Sequence, residues 1–208
     1  DVEDVSFEAF VADLSTVIDA AKLDRFPLLG ISQGCAISIA YAVRNPGRVS
    51  HLILYGGFAR GSEKRGSAAS KDQAIAMRTL IQTGWGQENQ AFRQMFTSSF
   101  LPGGSAEQWD WFNELQRVSV SPENAVRLRL ANDNVDVTDL LAKVDIPTLV
   151  LHCKNDGIVP FSEGRRMAAM IPGARFVALE GDNHLILEDE PAWPEFVDEI
   201  RNFLAENE

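Results

Sequence analysis

Apolar residues recur along this chain in two alternating rhythms. Phe7, Phe10, Val11, Leu14, Val17, Ile18 and Ala21 fall at helical spacing behind Ser6, a residue type suited to capping, and predict an amphipathic helix over 7–22. "FPLLGI" reads as a short buried strand. The small and apolar run "GCAISIAYAV" reads as a helix from Gln33 to Arg44, packed closely on a sheet and stopped by Asn45 and Pro46. "SHLILYGG" predicts a second buried strand ending in a glycine pair. Much later, "PTLVLHCKNDGIVP" predicts a third strand and a loop, followed by a helix from about Ser162 to Met170. "ARFVALEGDNH" predicts a fourth strand and loop, and "PAWPEFVDEIRNFLAE" a closing amphipathic helix. Strands apolar on both faces that alternate with helices predict a parallel sheet covered on both sides, an α/β fold.

One connection is too long for a simple helical crossover. Tyr55 ends the second strand and Thr148 opens the third, whereas a crossover needs only a few tens of residues. The surplus divides the chain into a core segment over 1–57, a helical insertion over 58–137 and a second core segment over 138–208. Helical patterns recur in the insertion around 71–82, 88–98, 105–117 and 122–132. It carries Trp85, Trp109 and Trp111, with Phe92, Phe96, Phe100 and Phe112. An aromatic-rich helical insertion at the end of a sheet strand reads as a lid, with most of its aromatics forming the insertion's own small core.

Composition narrows the class of protein. At 208 residues with 45% hydrophobic content, the chain fits one soluble globular domain better than two. No apolar run approaches the roughly 20 residues of a membrane span. The acidic start "DVEDVSFEAF" is unlike a secretory signal. Cys35 and Cys153 are too few for a disulfide framework and read as small buried residues, so a reducing, cytoplasmic setting is expected. A formal net charge of −11 argues against nucleic-acid and anionic-membrane partners. "RGSEKRG" at 60–66 is the basic cluster worth attention, and its glycines and serine read as a solvated loop.

The chemistry concentrates at "GISQG". A serine hydroxyl needs a base to take its proton, and that base needs a third group to orient it. Ser32 stands where the first strand ends. His51 and His152 lie among apolar strand residues and read as structural, whereas His184, in "EGDNHL", follows the fourth strand at the same sheet edge as Ser32. Asp156, in "KNDGIVP" after the third strand, is the favoured orienting acid. Asp182 is its rival, and Glu180 and Glu188 are weaker candidates. Gly30 and Gly34 are expected to relieve collisions around a strained turn at Ser32, and the Gln33 N–H to stabilise an oxyanion at the helix start. No residue spacing suggests a metal site, and no organic cofactor is needed.

With "GISQG", "KNDGIVP" and "GDNH" in that order, each after a strand, the chain resembles the α/β-hydrolase family over nearly its whole length. The resemblance implies a Ser32–His184–Asp156 triad and hydrolysis of an ester or similar acyl compound through an acyl-enzyme. It also implies that the strands here are the fifth to eighth of the family sheet, the insertion standing where the family carries its cap. A serine at the turn argues against the haloalkane dehalogenase and epoxide hydrolase branches, which place aspartate there. The run from "DVEDVSFEAF" to "SHLILYGGFARG" further resembles hydrolase-like domains of bacterial signalling proteins, which makes a ligand-sensing module with weak turnover an alternative. A perhydrolase or carbon–carbon bond hydrolase uses the same triad. The family's earlier strands, and the loop that supplies its second oxyanion N–H, lie before the helix that opens here at Phe7. A missing N-terminal segment or a second copy of the chain is therefore expected to complete the sheet beside the strand around Leu28 to Ile31.

Overall fold

The computed structural model describes residues 2–66, 68–87 and 90–206. Strands β1 (Phe26–Ile31), β2 (Val49–Tyr55), β3 (Thr148–Cys153) and β4 (Arg175–Leu179) lie side by side in that order, each parallel to the next. Their carboxyl ends therefore share one edge, which is what gathers distant loops into one site.

The pleat explains why β2 and β3 carry apolar residues on both faces over most of their length. On β2, Leu52 and Leu54 enter one cluster with Ile39 of helix α2 (Gln33–Arg44), while Ile53 and Tyr55 enter another. The first cluster also holds Leu141 of α7 (Thr138–Leu141) and Met167 of α8 (Phe161–Met170). The second holds Phe196 and Phe203 of α9 (Trp193–Glu206). Both faces of the central strands are thus covered by helices, and truncating a fully buried Leu here to Ala costs about 2–5 kcal/mol.

Helix α1 spans Phe7–Ala20, and the Ser6 side chain accepts the Ala9 N–H at 3.2 Å. Val11 and Ile18 are buried, but Val17 is exposed, so the buried stripe is narrower than the apolar pattern suggested. Strand β1 lies at the edge of the sheet and among the described residues pairs only with β2; although "FPLLGI" reads as a buried strand, Leu29 and Ile31 are each 43% exposed.

Between β2 and β3 come α3 (Ala68–Gly84), α4 (Gln90–Phe100), α5 (Ala106–Ser119), α6 (Pro122–Asn134) and then α7. The four helical patterns of the insertion all appear, the last starting at Pro122 as expected and the other ends shifted by a few residues; 88 and 89 lie outside the described residues. Sequence punctuation accounts for the starts of α5 and α6. Ser105 and Gln108 form a reciprocal capping box, and Ser121 caps a helix whose first turn holds Pro122. Trp85, Phe92 and Phe96 pack with Ile81 and Ala125 as the insertion's own core. Trp109 donates from Nε1 to the Leu101 carbonyl at 2.7 Å, whereas Trp111 is largely exposed.

The "RGSEKRG" segment is not a solvated loop. Ser62–Lys64 form a turn of 3-10 helix, and Gly61 is buried so tightly that a Cβ would stand 2.1 Å from the Asn132 carbonyl oxygen. Arg60 pairs with buried Glu163 at 2.8 Å, and Arg65 is only partly exposed. Among the described residues no helix is long and apolar enough to cross a membrane.

Candidate active site

Strand β1 ends at Ile31 and α2 begins at Gln33, which leaves Ser32 alone to turn the chain. It does so at φ 55° and ψ −122°, a conformation that costs a non-glycine residue on the order of 1–3 kcal/mol. Two backbone hydrogen bonds hold it there: the Ser32 N–H donates to the Tyr55 carbonyl at 3.0 Å, and the Cys35 N–H donates to the Ser32 carbonyl at 3.1 Å.

Close packing explains one of the two flanking glycines. A Cβ at Gly30 would lie 2.7 Å from the Gly34 carbonyl oxygen and 2.8 Å from Ser38 Oγ. At Gly34 a Cβ would meet nothing within 4 Å, so the collision expected there does not exist. The second tight approach belongs instead to Gly57, where a Cβ would stand 2.1 Å from Cys35 Sγ and 3.1 Å from the Ser32 carbonyl oxygen. Cys35 and Cys153 are both fully buried free thiols, and burial pushes Cys153 up to about 11. Gln33 opens α2, so its backbone N–H belongs to the helix's first turn, which has no intrahelical acceptor.

The structure brings Ser32, His184 and Asp156 together. Ser32 Oγ lies 2.9 Å from His184 Nε2, and His184 Nδ1 lies 2.7 Å from Asp156 Oδ2. His184 is fully buried, its N–H donating to the Phe100 carbonyl at 2.8 Å and its ring meeting the Phe100 ring edge-on at 5.4 Å. Asp156 Oδ1 accepts the N–H groups of Ile158 and Val159 at 2.8 and 2.9 Å. The rival Asp182 is exposed and accepts from Asn155 instead, while Glu180, also exposed, pairs with Lys154. Glu188 is exposed as well.

His152 proves more than a core histidine. Its Nε2 lies 3.0 Å from the Val159 carbonyl and 3.4 Å from Asp156 Oδ2, so it supports the acid loop from behind. Burial works against ionisation of Asp156, but the His152 and His184 imidazoles and the Val159 N–H outweigh it and hold the carboxyl well below the usual carboxylate range. Position on β3 between Leu151 and Cys153 gave no sign of this; what could have revealed it is the spacing of His152 four residues before Asp156. His51 is structural, packed edge-on against Phe203 at 5.5 Å.

Two cavities adjoin the turn. One, of about 90 Å³, is lined by Ser32, Phe58, Arg65, Phe100 and Arg129 among others. The second, of about 220 Å³, is lined by Gln33 and by the insertion's Ile81, Trp85, Phe96 and Phe100. Among the described residues no group of three or more His, Cys, Asp or Glu side chains could hold a metal ion.

A serine on a strained strand-to-helix turn, backed by a histidine and an acid from later loops of a parallel sheet, defines a class. The alpha/beta hydrolase fold family matches residues 2–191, and the chain belongs to that family. It is 29% identical over 197 residues to pyrrolizixenacetamide deacetylase of Xenorhabdus hominickii, covering 93% of this chain and 70% of that protein. It is 25% identical over 212 residues to 2-hydroxy-6-oxo-2,4-heptadienoate hydrolase of Pseudomonas putida, covering 95% and 70%. An esterase structure from Exiguobacterium antarcticum superposes with a TM-score of 0.83 at 24% identity, over 97% of this chain and 74% of that one. Homologues named as hydrolases and esterases support an enzyme of this fold.

Proposed function

We propose that the chain is a serine hydrolase cleaving an ester or similar acyl compound through an acyl-enzyme. The observation that carries this reading is the unbroken line from Ser32 Oγ to His184 Nε2 at 2.9 Å and from His184 Nδ1 to Asp156 Oδ2 at 2.7 Å. His184 takes the Ser32 proton as Oγ attacks the carbonyl carbon, then returns it to the leaving group as the tetrahedral intermediate collapses. A water, deprotonated by the same imidazole, releases the acid and restores Ser32. Asp156 holds the tautomer with Nε2 free to accept and stabilises the imidazolium that forms. The Gln33 N–H and the start of α2 face the developing oxyanion. The insertion over 58–137 acts as the lid, since Phe100 covers His184 and the aromatic core lines the larger cavity.

A fluorophosphonate probe tests the reading. It should label Ser32, and the label should vanish in Ser32→Ala. Labelling that persists unchanged in that variant overturns the assignment. Labelling of Ser32 without turnover of short acyl esters favours the ligand-sensing alternative.

A further inference from the structure

The small cavity beside Ser32 borders a cluster of charges that does not balance. Four arginines meet three carboxylates. Arg60 pairs with Glu163 at 2.8 Å, Arg78 with Glu63 and with Asp133 at 3.0 Å, and Arg129 with Asp133 at 2.9 Å. Arg65 is the one left over. Its Nε donates to the Arg60 carbonyl at 3.1 Å and its guanidinium carbon lies 5.5 Å over the Phe58 ring, but among the described residues no carboxylate comes within ion-pair distance of it. Burial disfavours its charged form, Arg129 and Arg60 add to that effect, and Glu163 and Asp133 only partly oppose it. A half-buried guanidinium without an anion is costly, and its planar fork fits a carboxylate through two parallel hydrogen bonds.

Building on the serine-hydrolase reading, we propose that the substrate carries a carboxylate close to its scissile carbonyl, and that Arg65, assisted by Arg129, binds that carboxylate. Ser32, Arg65 and Arg129 line the same cavity of about 90 Å³, so the charged end and the attacked carbon are separated by a short chain. Arg129 also lines the larger, mostly apolar cavity beside Gln33, which takes the rest of the molecule. In a chain of formal net charge −11, Arg65 is a surplus cation in the nucleophile's cavity. The one lining carboxylate among the described residues, Asp133, is already paired with Arg78 and Arg129, and Arg65 is placed where it can select one end of a substrate.

The test compares kcat/KM for 4-nitrophenyl hemiglutarate with that for 4-nitrophenyl 5-oxohexanoate, a neutral ester of matched shape, with spontaneous hydrolysis subtracted. The wild type should prefer the anionic ester by at least about tenfold. Arg65→Met should lower the ratio by about tenfold to a hundredfold, the range for a lost hydrogen bond to a charged group, and Arg65→Lys should restore part of it. A ratio of one or less in the wild type, or a ratio unchanged in Arg65→Met, overturns the proposal. If the neutral ester is turned over and Ser32 labels without any preference for the anion, this inference fails while the hydrolase reading stands. If neither ester reacts and Ser32 does not label, the hydrolase reading fails, and calorimetry with monomethyl glutarate decides the rest. Saturable binding that is lost in Arg65→Met supports an anion site; no binding, or equal binding in both proteins, overturns it.

Discussion

The turn at Ser32 and the arginine cluster of the insertion border one cavity but are built differently. At the turn the backbone does the positioning: a serine at φ 55°, a Gly30 that leaves no room for a Cβ, and a Gly57 pressed on Cys35. In the cluster, side chains from α3, α6, α8 and the 60–65 segment position one another through ion pairs converging on Asp133 and Glu163. Backbone geometry tolerates few alternatives, whereas a network of long side chains can be re-paired by substitution. The difference separates what must stay constant for the chemistry from what can change to select a substrate.

The largest effect should come from breaking the hydrogen-bonded line itself. On the proposed mechanism, His184→Ala removes both general base and general acid and should lower turnover of a short acyl ester by about 10⁴-fold or more. Circular dichroism and a melting curve should still report a folded chain. A loss of less than tenfold would mean that the chemistry does not run through this imidazole.

Next in size are two glycines packed against the turn, Gly30 on β1 and Gly57 just past β2. Gly30→Ala forces a Cβ onto backbone at 2.7 Å, and Gly57→Ala drives one into a fully buried thiol at 2.1 Å, so neither neighbour can move away freely. Each should destabilise by about 1–3 kcal/mol, the range for overpacking a core, with activity falling alongside. By contrast Arg78→Met in the ionic cluster should leave labelling of Ser32 intact. Urea denaturation and labelling rate, measured on all three variants, check whether the two regions respond in these separate ways.

Much of this arrangement is legible in the sequence, for a physical reason. Parallel strands end at one edge, so Ser32, Asp156 and His184, each just past an apolar strand, are brought to one place by topology alone. The insertion's helices followed from spacing, whereas the caps at Ser105 and Ser121 that set two of their starts were seen only in the structure. What escaped is set by partners far away in the chain. Nothing local in "RGSEKRG" says that Arg60 meets Glu163, 103 residues on, or that Gly61 lies against Asn132. The exposure of Leu29 and Ile31 escaped for a related reason, since the apolar "FPLLGI" reads as a buried strand even though the resemblance leaves β1 without a neighbour on one side.

His152 sharpens the comparison from the acid side. As a positioning residue it touches Asp156 and the Val159 carbonyl but not the reacting atoms. His152→Phe keeps the ring volume and removes the donor, and kcat should fall roughly tenfold with KM little changed, as for one lost hydrogen bond to a charged group. The pH dependence of stability gives a second reading. The folded pKa of Asp156 is depressed, so its contribution is fully present above the unfolded value of about 3.9 and is lost as pH falls below that toward the folded value. Less depressed in His152→Phe, the group contributes less. The stability gap between wild type and variant should therefore be constant above about pH 5 and shrink below pH 4. A gap that does not change with acid would show that His152 acts on packing alone.

The smallest effect separates motif from mechanism. Gly34 belongs to the G-x-S-x-G pattern as firmly as Gly30 does, yet it sits in the first turn of α2 with nothing within 4 Å of where its Cβ would be, and its φ is not in the left-handed region. A glycine inside a helix costs roughly 0.5–1 kcal/mol relative to alanine, through the backbone entropy it loses on folding. Gly34→Ala should therefore be neutral to stabilising by up to about that amount, with Ser32 labelled at the wild-type rate. The same substitution at Gly30, two residues on the other side of the serine, should do the opposite. If Gly34→Ala instead slows labelling as Gly30→Ala does, the room seen around Gly34 is needed by something other than the protein's own atoms, and a substrate passing over the first turn of α2 is the group that would need it.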